Sequence, residues 1–371
     1  MASTPPAVDQ VDVPTSRLRT HVLTAGPEGA PVLVLVHGNV SSARFFAPTM
    51  SVLAGRYRCL APDLRGFGLS EAAPVDARRG VRDFADDLHA LLTESALAMK
   101  TEWRGTGRGV GGGGQPVHLL GWSLGGGVVL QYAIDHPETV ASIVLESPMS
   151  PYGFGGTRDL AGAPCWPDFA GSGGGTASPE MVRRIAEGDR GTDDPASPRN
   201  VLTTLYGKPP FRLPAGLEDE LVDAMLQMTT GDGNYPGDAV ASPNWPGTAP
   251  GSHGVNNAIS PRYCDLSGFA AITGLRSRPG VLWIRGDSDQ IVSDASAVDL
   301  GYLGQIGAVP GWPGADVYAP QPMVGQMRAV LDRYRGAGGR YEEHVLARCG
   351  HSPHLEQPDE FNELVGGFLA R

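Results

Sequence analysis

Cysteine is scarce in this chain. There are four in 371 residues, Cys59, Cys165, Cys264 and Cys349, and no C-x-x-C pair. That scatter offers no disulfide framework, so free thiols in a reducing compartment are the expectation. Positive charge is also short: 29 Lys and Arg face 40 Asp and Glu, a net charge of −11. Nucleic acid and anionic membrane surfaces are therefore disfavoured as partners. No stretch of 18 apolar residues occurs, which argues against a membrane span. The opening Met1-Ala2-Ser3-Thr4-Pro5-Pro6 has neither a basic region nor an apolar run. It does not read as a secretory signal, and a soluble, cytoplasmic protein is expected. Glycine and proline, by contrast, are abundant, at 52 and 32 residues. They show no period, and apolar content is retained at 41%, so they predict long ordered loops rather than disorder. The length suits one large domain or two.

The stretch on which the rest turns is Gly121-Trp122-Ser123-Leu124-Gly125-Gly126. Before it lies Pro116–Leu120, a short β-rich apolar run; after it, Val128–Ile134 reads as a helix. A bare Gly-x-Ser-x-Gly is a weak signal in a glycine-rich chain, but strand, tight turn and helix is the context a nucleophile elbow requires. A serine hydroxyl is a poor nucleophile at its free pKa and must be presented to a base. The helix N-terminus beyond Ser123 supplies free N–H groups and a positive dipole end for a developing oxyanion. Gly125 to Gly127 would each cost a helix about 1 kcal/mol against Ala. That cost predicts a packing or catalytic reason for them.

Along the chain, residues 1–15 read as a loose arm and Arg17–Thr24 as an edge strand. Pro31–Val36 is continuously apolar, as a strand buried on both faces should be. A helix near Ala43–Ala54 and a strand at Tyr57–Ala61 follow. Val81–Leu97 has helical spacing, with Val81, Phe84, Leu88, Leu91 and Leu92 on one face. Residues 104–115 read as a surface insertion. Val140–Leu145 is a further buried strand. From Pro148 to Pro261, Gly and Pro make 33 of 114 residues, denser than elsewhere, so the sheet pattern stops there. Helices are still signalled inside: Ser178-Pro179 and Ser197-Pro198 each place a capping Ser before a Pro at the first helical position. The second is predicted to end at Tyr206-Gly207, and Leu217–Thr230 is amphipathic. The sheet resumes at Val281–Ile284. A loop-rich stretch at 300–320, a helix at Met323–Gly336, a strand at Tyr341–Ala347 and a helix at Pro358–Leu369 complete the chain. Alternating strands and helices argue for a mostly parallel central sheet flanked by helices.

A serine nucleophile needs a base and an orienting acid. Gly286-Asp287-Ser288-Asp289 follows one buried strand, and Gly350-His351-Ser352-Pro353-His354-Leu355-Glu356 follows the last. Five motifs stand in order: His37-Gly38, Asp63-x-Arg65-Gly66-x-Gly68-x-Ser70, the elbow, Gly286-x-x-Asp289 and Gly350-His351. On them the chain, from about residue 17 onward, resembles the α/β-hydrolase superfamily, in its capped esterase, haloperoxidase and C–C hydrolase-like group. The resemblance implies a core of residues 1–147 and 271–371 and an inserted helical, loop-rich cap at 148–270. It implies Ser123 as nucleophile, His351 as base, Asp289 as orienting acid, and the backbone N–H groups of Asn39 and Leu124 as oxyanion hole. It implies no cofactor and no metal.

Alternatives stay open at this point. Asp287 and, more weakly, Glu146 rival Asp289; His354 rivals His351; His351, His354 and Glu356 together faintly suggest a metal site. His37 reads as a loop anchor, and Asp63 and Arg65 as residues shaping a turn near the site. Haloalkane dehalogenases and epoxide hydrolases of this fold carry Asp where this chain has Ser123, and C–C hydrolases usually read Gly-Asn-Ser where it has Gly121-Trp122-Ser123. Hydrolysis of a carboxylic ester or lactone on a small apolar substrate is the expected reaction. A C–C hydrolase, an acyltransferase, a perhydrolase and a non-catalytic small-ligand binder are the alternatives. Trp166, Phe169, Tyr206, Phe211, Met225, Met228, Tyr235 and Trp245 are candidates to line an apolar pocket.

Overall fold

The computed structural model describes residues 7–95, 97, 116–272 and 278–371. The predicted insertion at 104–115 lies outside the described residues. Six strands precede the long segment of residues 147–279: β1 (Asp9–Pro14), β2 (Arg19–Ala25), β3 (Val32–Val36), β4 (Arg58–Pro62), β5 (Val117–Trp122) and β6 (Val140–Glu146). Four short strands lie within it: β7 (Thr230–Gly231), β8 (Tyr235–Pro236), β9 (Ala239–Ala241) and β10 (Thr248–Pro250). Two more follow, β11 (Gly280–Gly286) and β12 (Arg340–Leu346). The main sheet has the order β1-β2-β4-β3-β5-β6-β11-β12. β1 and β2 run antiparallel to their neighbours; from β4 onward every pairing is parallel.

The residues account for this layering. All five side chains of β3 are buried, as a central parallel strand covered by helices on both faces requires. Helix Arg82–Glu94 turns Phe84, Leu88, Leu91 and Leu92 inward. Helix Pro358–Leu369 buries Phe361, Val365 and Leu369, spaced four apart on one face, and each such side chain is worth about 1.5–3 kcal/mol of burial. The helix after the elbow, Leu124–Asp135, buries its first ten residues. Its glycines have a steric reason: a Cβ on Gly126 would strike Pro148, and one on Gly127 would strike Met149.

Two local readings are corrected. Residues 9–14 are not a loose arm: β1 pairs with β2 over six residues, from Asp9–Thr24 to Pro14–Arg19, so β1 and not β2 is the edge. Its side chains are nearly all exposed, so backbone bonds rather than apolar periodicity hold it, and propensity reading misses it. The loop-rich stretch at 300–320 also contains a helix, Leu300–Gln305, capped by Asp299 on the N–H of Tyr302.

Register sets where the site lies. Val36 pairs with Gly121, Trp122 with Glu146, Glu146 with Ile284, and Gly286 with Leu346. The carboxyl ends of β3, β5, β6, β11 and β12 are thereby aligned along one edge, where open α/β sheets bind ligands. Between β6 and β11 the capped helices form as read. Ser178 and Ser197 accept from Met181 and Asn200, and the Pro198 helix widens into a π-helical turn over Leu202–Tyr206. No helix among the described residues is long and apolar enough to cross a membrane.

Candidate active site

Ser123 sits between β5 and its helix with φ 56° and ψ −117°, a conformation a non-glycine residue rarely adopts. The neighbouring backbone holds it there. Its N–H donates to Glu146 O (3.0 Å), and its C=O accepts from Gly126 and Met149 (3.0 Å each). The flanking glycines allow close approach: a Cβ on Gly121 would overlap Gly125, and one on Gly125 would overlap Val36 O. Ser123 and His351 line one cavity of about 430 Å³, together with Asn39, Leu124, Met149 and Asn256. Among its lining residues, Ser178, Pro195 and Val298 are exposed.

His351 follows β12. Its Nδ1 lies 2.9 Å from Asp289 Oδ2, and both side chains are 2% exposed. The other carboxylate oxygen, Oδ1, accepts the N–H groups of Ile291 (2.8 Å) and Val292 (3.0 Å), which aims the acid. An ionised carboxylate only accepts, so the imidazole proton is assigned to Nδ1 and Nε2 is left as the basic nitrogen. Trp122 Nε1 donates to His351 O (2.8 Å), fastening the histidine loop to the residue before the serine.

The rival acids go elsewhere. Asp287 is exposed and accepts Ser288 Oγ (2.7 Å) and the N–H of Arg348 (2.8 Å), which hold its carboxyl below the usual range, the serine bond foremost. Glu146 Oε1 takes both the N–H (2.9 Å) and Nδ1 (2.7 Å) of His354, each side chain fully buried. Glu146 and His354, rivals of Asp289 and His351 in the sequence reading, thus pair with each other. Glu356 accepts Gly350 N–H (2.8 Å) and Lys208 N–H (2.7 Å), and burial raises its pKa. The three residues that suggested a metal site therefore share no partner and turn to different groups.

The loop after β3 carries Asn39. His37 is fully buried; its Nε2 accepts Leu64 N–H (3.0 Å) and its Nδ1 reaches Gly38 O (2.8 Å). Ser41 Oγ donates to the same carbonyl (2.7 Å). A trans peptide points its N–H opposite to its C=O, so holding Gly38 O from the core side aims the Asn39 N–H the other way. Among the described residues no acceptor takes the N–H of Asn39 or of Leu124, and both residues line the cavity. Asp63 binds Ala43 N–H (2.8 Å), Leu69 N–H (2.9 Å) and His21 Nδ1 (2.9 Å); Arg65 forks onto Asp87 (2.6 and 2.7 Å). Both shape their loop without lining the cavity.

Of the eight candidate pocket residues, Tyr206 and Tyr235 line this cavity and the other six do not. Met225 and Met228 pack into the hydrophobic core, and Trp245 Nε1 bonds Pro310 O at the surface. Side-chain size cannot tell a pocket wall from packing. Met149, Asn256, Ile291 and Val292 line the cavity without any sequence signal.

Over residues 33–364 the chain matches the model of the alpha/beta hydrolase family. It is 28% identical over 130 residues to a carboxylesterase of Bacillus subtilis, covering 35% of this chain and 38% of that protein. It is 28% identical over 361 residues to the 2-hydroxymuconate semialdehyde hydrolase of Pseudomonas sp. (strain CF600), covering 95% and 91%. The first seven curated relatives are matched over only 26% to 41% of their length. A solved serine hydrolase from Cycloclasticus zankles superposes with a TM-score of 0.59 at 17% identity, over 98% of each chain, which speaks for the fold alone. With a match that spans all the parallel strands but the start of β3, the chain belongs to the alpha/beta hydrolase family.

Proposed function

We propose that the protein is a serine hydrolase that cleaves a carboxylic ester or lactone through an acyl-enzyme on Ser123. The observation that carries this reading is one cavity holding both the strained Ser123 and a buried His351 whose Nδ1 is tied to Asp289. Ser123 Oγ attacks the carbonyl carbon while His351 Nε2 takes its proton. Asp289 stabilises the imidazolium and holds its tautomer. The tetrahedral oxyanion is received by the N–H groups of Leu124 and Asn39, an arrangement worth about 10²–10³ in rate per donor. Collapse breaks the bond to the leaving oxygen, which His351 protonates. Water, deprotonated by His351, then attacks the acyl carbon; the bond to Ser123 Oγ breaks and His351 returns the proton to that oxygen.

The cavity also bears on substrate class. Among the described residues no Lys, Arg, Asp or Glu lines it, and Phe154, Met181, Leu205 and Ile259 make it largely apolar. An uncharged ester fits that wall, because a carboxylate buried there would find no Lys or Arg to pair with. The full-length likeness to a 2-hydroxymuconate semialdehyde hydrolase favours a second reading, C–C bond hydrolysis on the same side chains. Residues 148–270 are read as a cap that sets which acyl and alcohol groups enter. The test is a panel of esters, lactones and C–C substrates of graded size, on wild type and Ser123→Ala, with fluorophosphonate labelling. Serine-dependent turnover of neutral esters is expected; turnover that survives the substitution overturns the reading.

A further inference from the structure

The chain bends sharply after β3, and Val40 carries the bend with φ 47°. A β-branched residue in the left-handed region is an outlier that persists only where its surroundings hold it. Two of the groups that hold it come from the insertion. Tyr206 Oη donates to Asn39 O (2.7 Å) and reaches Val40 O (3.2 Å). Asn39 Nδ2 donates to Asn256 Oδ1 (3.0 Å), while Asn39 Oδ1 accepts the N–H of Val40 (3.0 Å). Tyr206 stands at the end of the π-helical turn, a local widening that often marks a functional site. Its ring is wedged between Trp122 (centroids 5.5 Å), His351 (6.0 Å) and Phe45 (6.3 Å). Burial pushes the phenol pKa far above its ordinary value, so the hydroxyl stays a donor.

Both peptide units around Asn39 are thereby fixed, from opposite sides. Gly38 O is held from the core by His37 and Ser41, and Asn39 O is held from the insertion by Tyr206. We propose that Tyr206 and Asn256 are positioning residues for the reaction: they clamp the strained Asn39–Val40 peptide and so set the Asn39 N–H that receives the oxyanion. The insertion then completes the catalytic centre as well as covering it. This rests on the serine-hydrolase reading above.

A trifluoromethyl ketone is the probe, because Ser123 adds to it to give a hemiketal oxyanion that only a formed oxyanion hole binds well. Tyr206→Phe is expected to lower kcat about 10- to 100-fold and to weaken the ketone by a similar factor, with KM within about twofold. Asn256→Leu, which leaves the phenol in place, is expected to do the same to a smaller extent and serves if the first variant does not fold. Unchanged kcat and ketone affinity in folded variants overturn the proposal. So does a rise in KM alone, which makes these residues pocket wall only. Ser123→Ala run alongside separates the two claims: if it keeps turnover and ketone binding, the serine reading itself fails.

Discussion

Two histidines three residues apart, His351 and His354, each give Nδ1 to a buried carboxylate. The bonds are alike, 2.9 Å to Asp289 and 2.7 Å to Glu146. What differs is the far side of each ring. His351 lines the cavity beside Ser123. His354 is walled in by Phe46, Trp122 and Phe361, with ring centroids 4.9, 5.1 and 6.1 Å away, and among the described residues its Nε2 has no partner. An imidazole held by an acid is thus no sign of a base by itself; the base needs an Nε2 that a substrate can reach. The second pair ties strands together: Glu146 accepts Ser123 N–H with its backbone and His354 with its side chain.

The comparison can be broken by experiment. Ser123→Ala should cost the most, at least ~10⁴-fold in kcat, leaving what binding and the oxyanion hole supply. Circular dichroism should show the fold intact, since a hydroxyl at a turn contributes little packing. Asp289→Asn comes next, at about 10⁴-fold in kcat on an activated ester near pH 8, because an amide cannot stabilise the imidazolium or keep its tautomer. Glu146→Gln should stay within about tenfold of wild-type kcat. It should melt lower by roughly 1–4 °C, from about 1–3 kcal/mol of weakened buried bonding. If Glu146→Gln silences a folded enzyme and Asp289→Asn does not, the roles of the two pairs are exchanged.

A third buried imidazole sharpens the contrast. Among the described residues His37 has no carboxylate on its ring nitrogens, and burial foremost lowers its pKa from the ordinary 6.5. The unfolded chain then binds the proton more readily than the folded one. Stability contributed by the neutral ring is present above about pH 6.5 and is lost as pH falls below that value, by at most ~1.4 kcal/mol per pH unit. Urea midpoints should drop between pH 7 and pH 5 in wild type; a flat or rising curve contradicts this. Burial also lowers His118 and is the first cause for His89, so they add to the same slope. Asp287→Asn should have the smallest effect: activity within a few-fold, and about 1 kcal/mol lost for each turn bond weakened, seen in the melting curve.

Local patterns carry a good part of this molecule. The helices Met323–Gly336 and Pro358–Leu369 span the residues read from the sequence, because three- and four-residue spacing of apolar side chains is a property of the chain itself. Strand β3 reads as buried on both faces, and the order Ser123, Asp289, His351 names the residues to examine. That Asp289 rather than Asp287 would meet His351 is also legible, since an acid directly after a strand has its own turn to bond. Tertiary structure alone decided the rest. β1 is held by backbone pairing that no side-chain pattern records. Whether Tyr206 walls a pocket while Met225 fills a core depends on what lies opposite each, not on its size. The joining of Glu146 to His354, and of Tyr206 to Asn39, links residues 208 and 167 positions apart. Such hydrogen bonds have no period or local propensity to betray them; they exist only once the sheet edge has brought distant loops to one place.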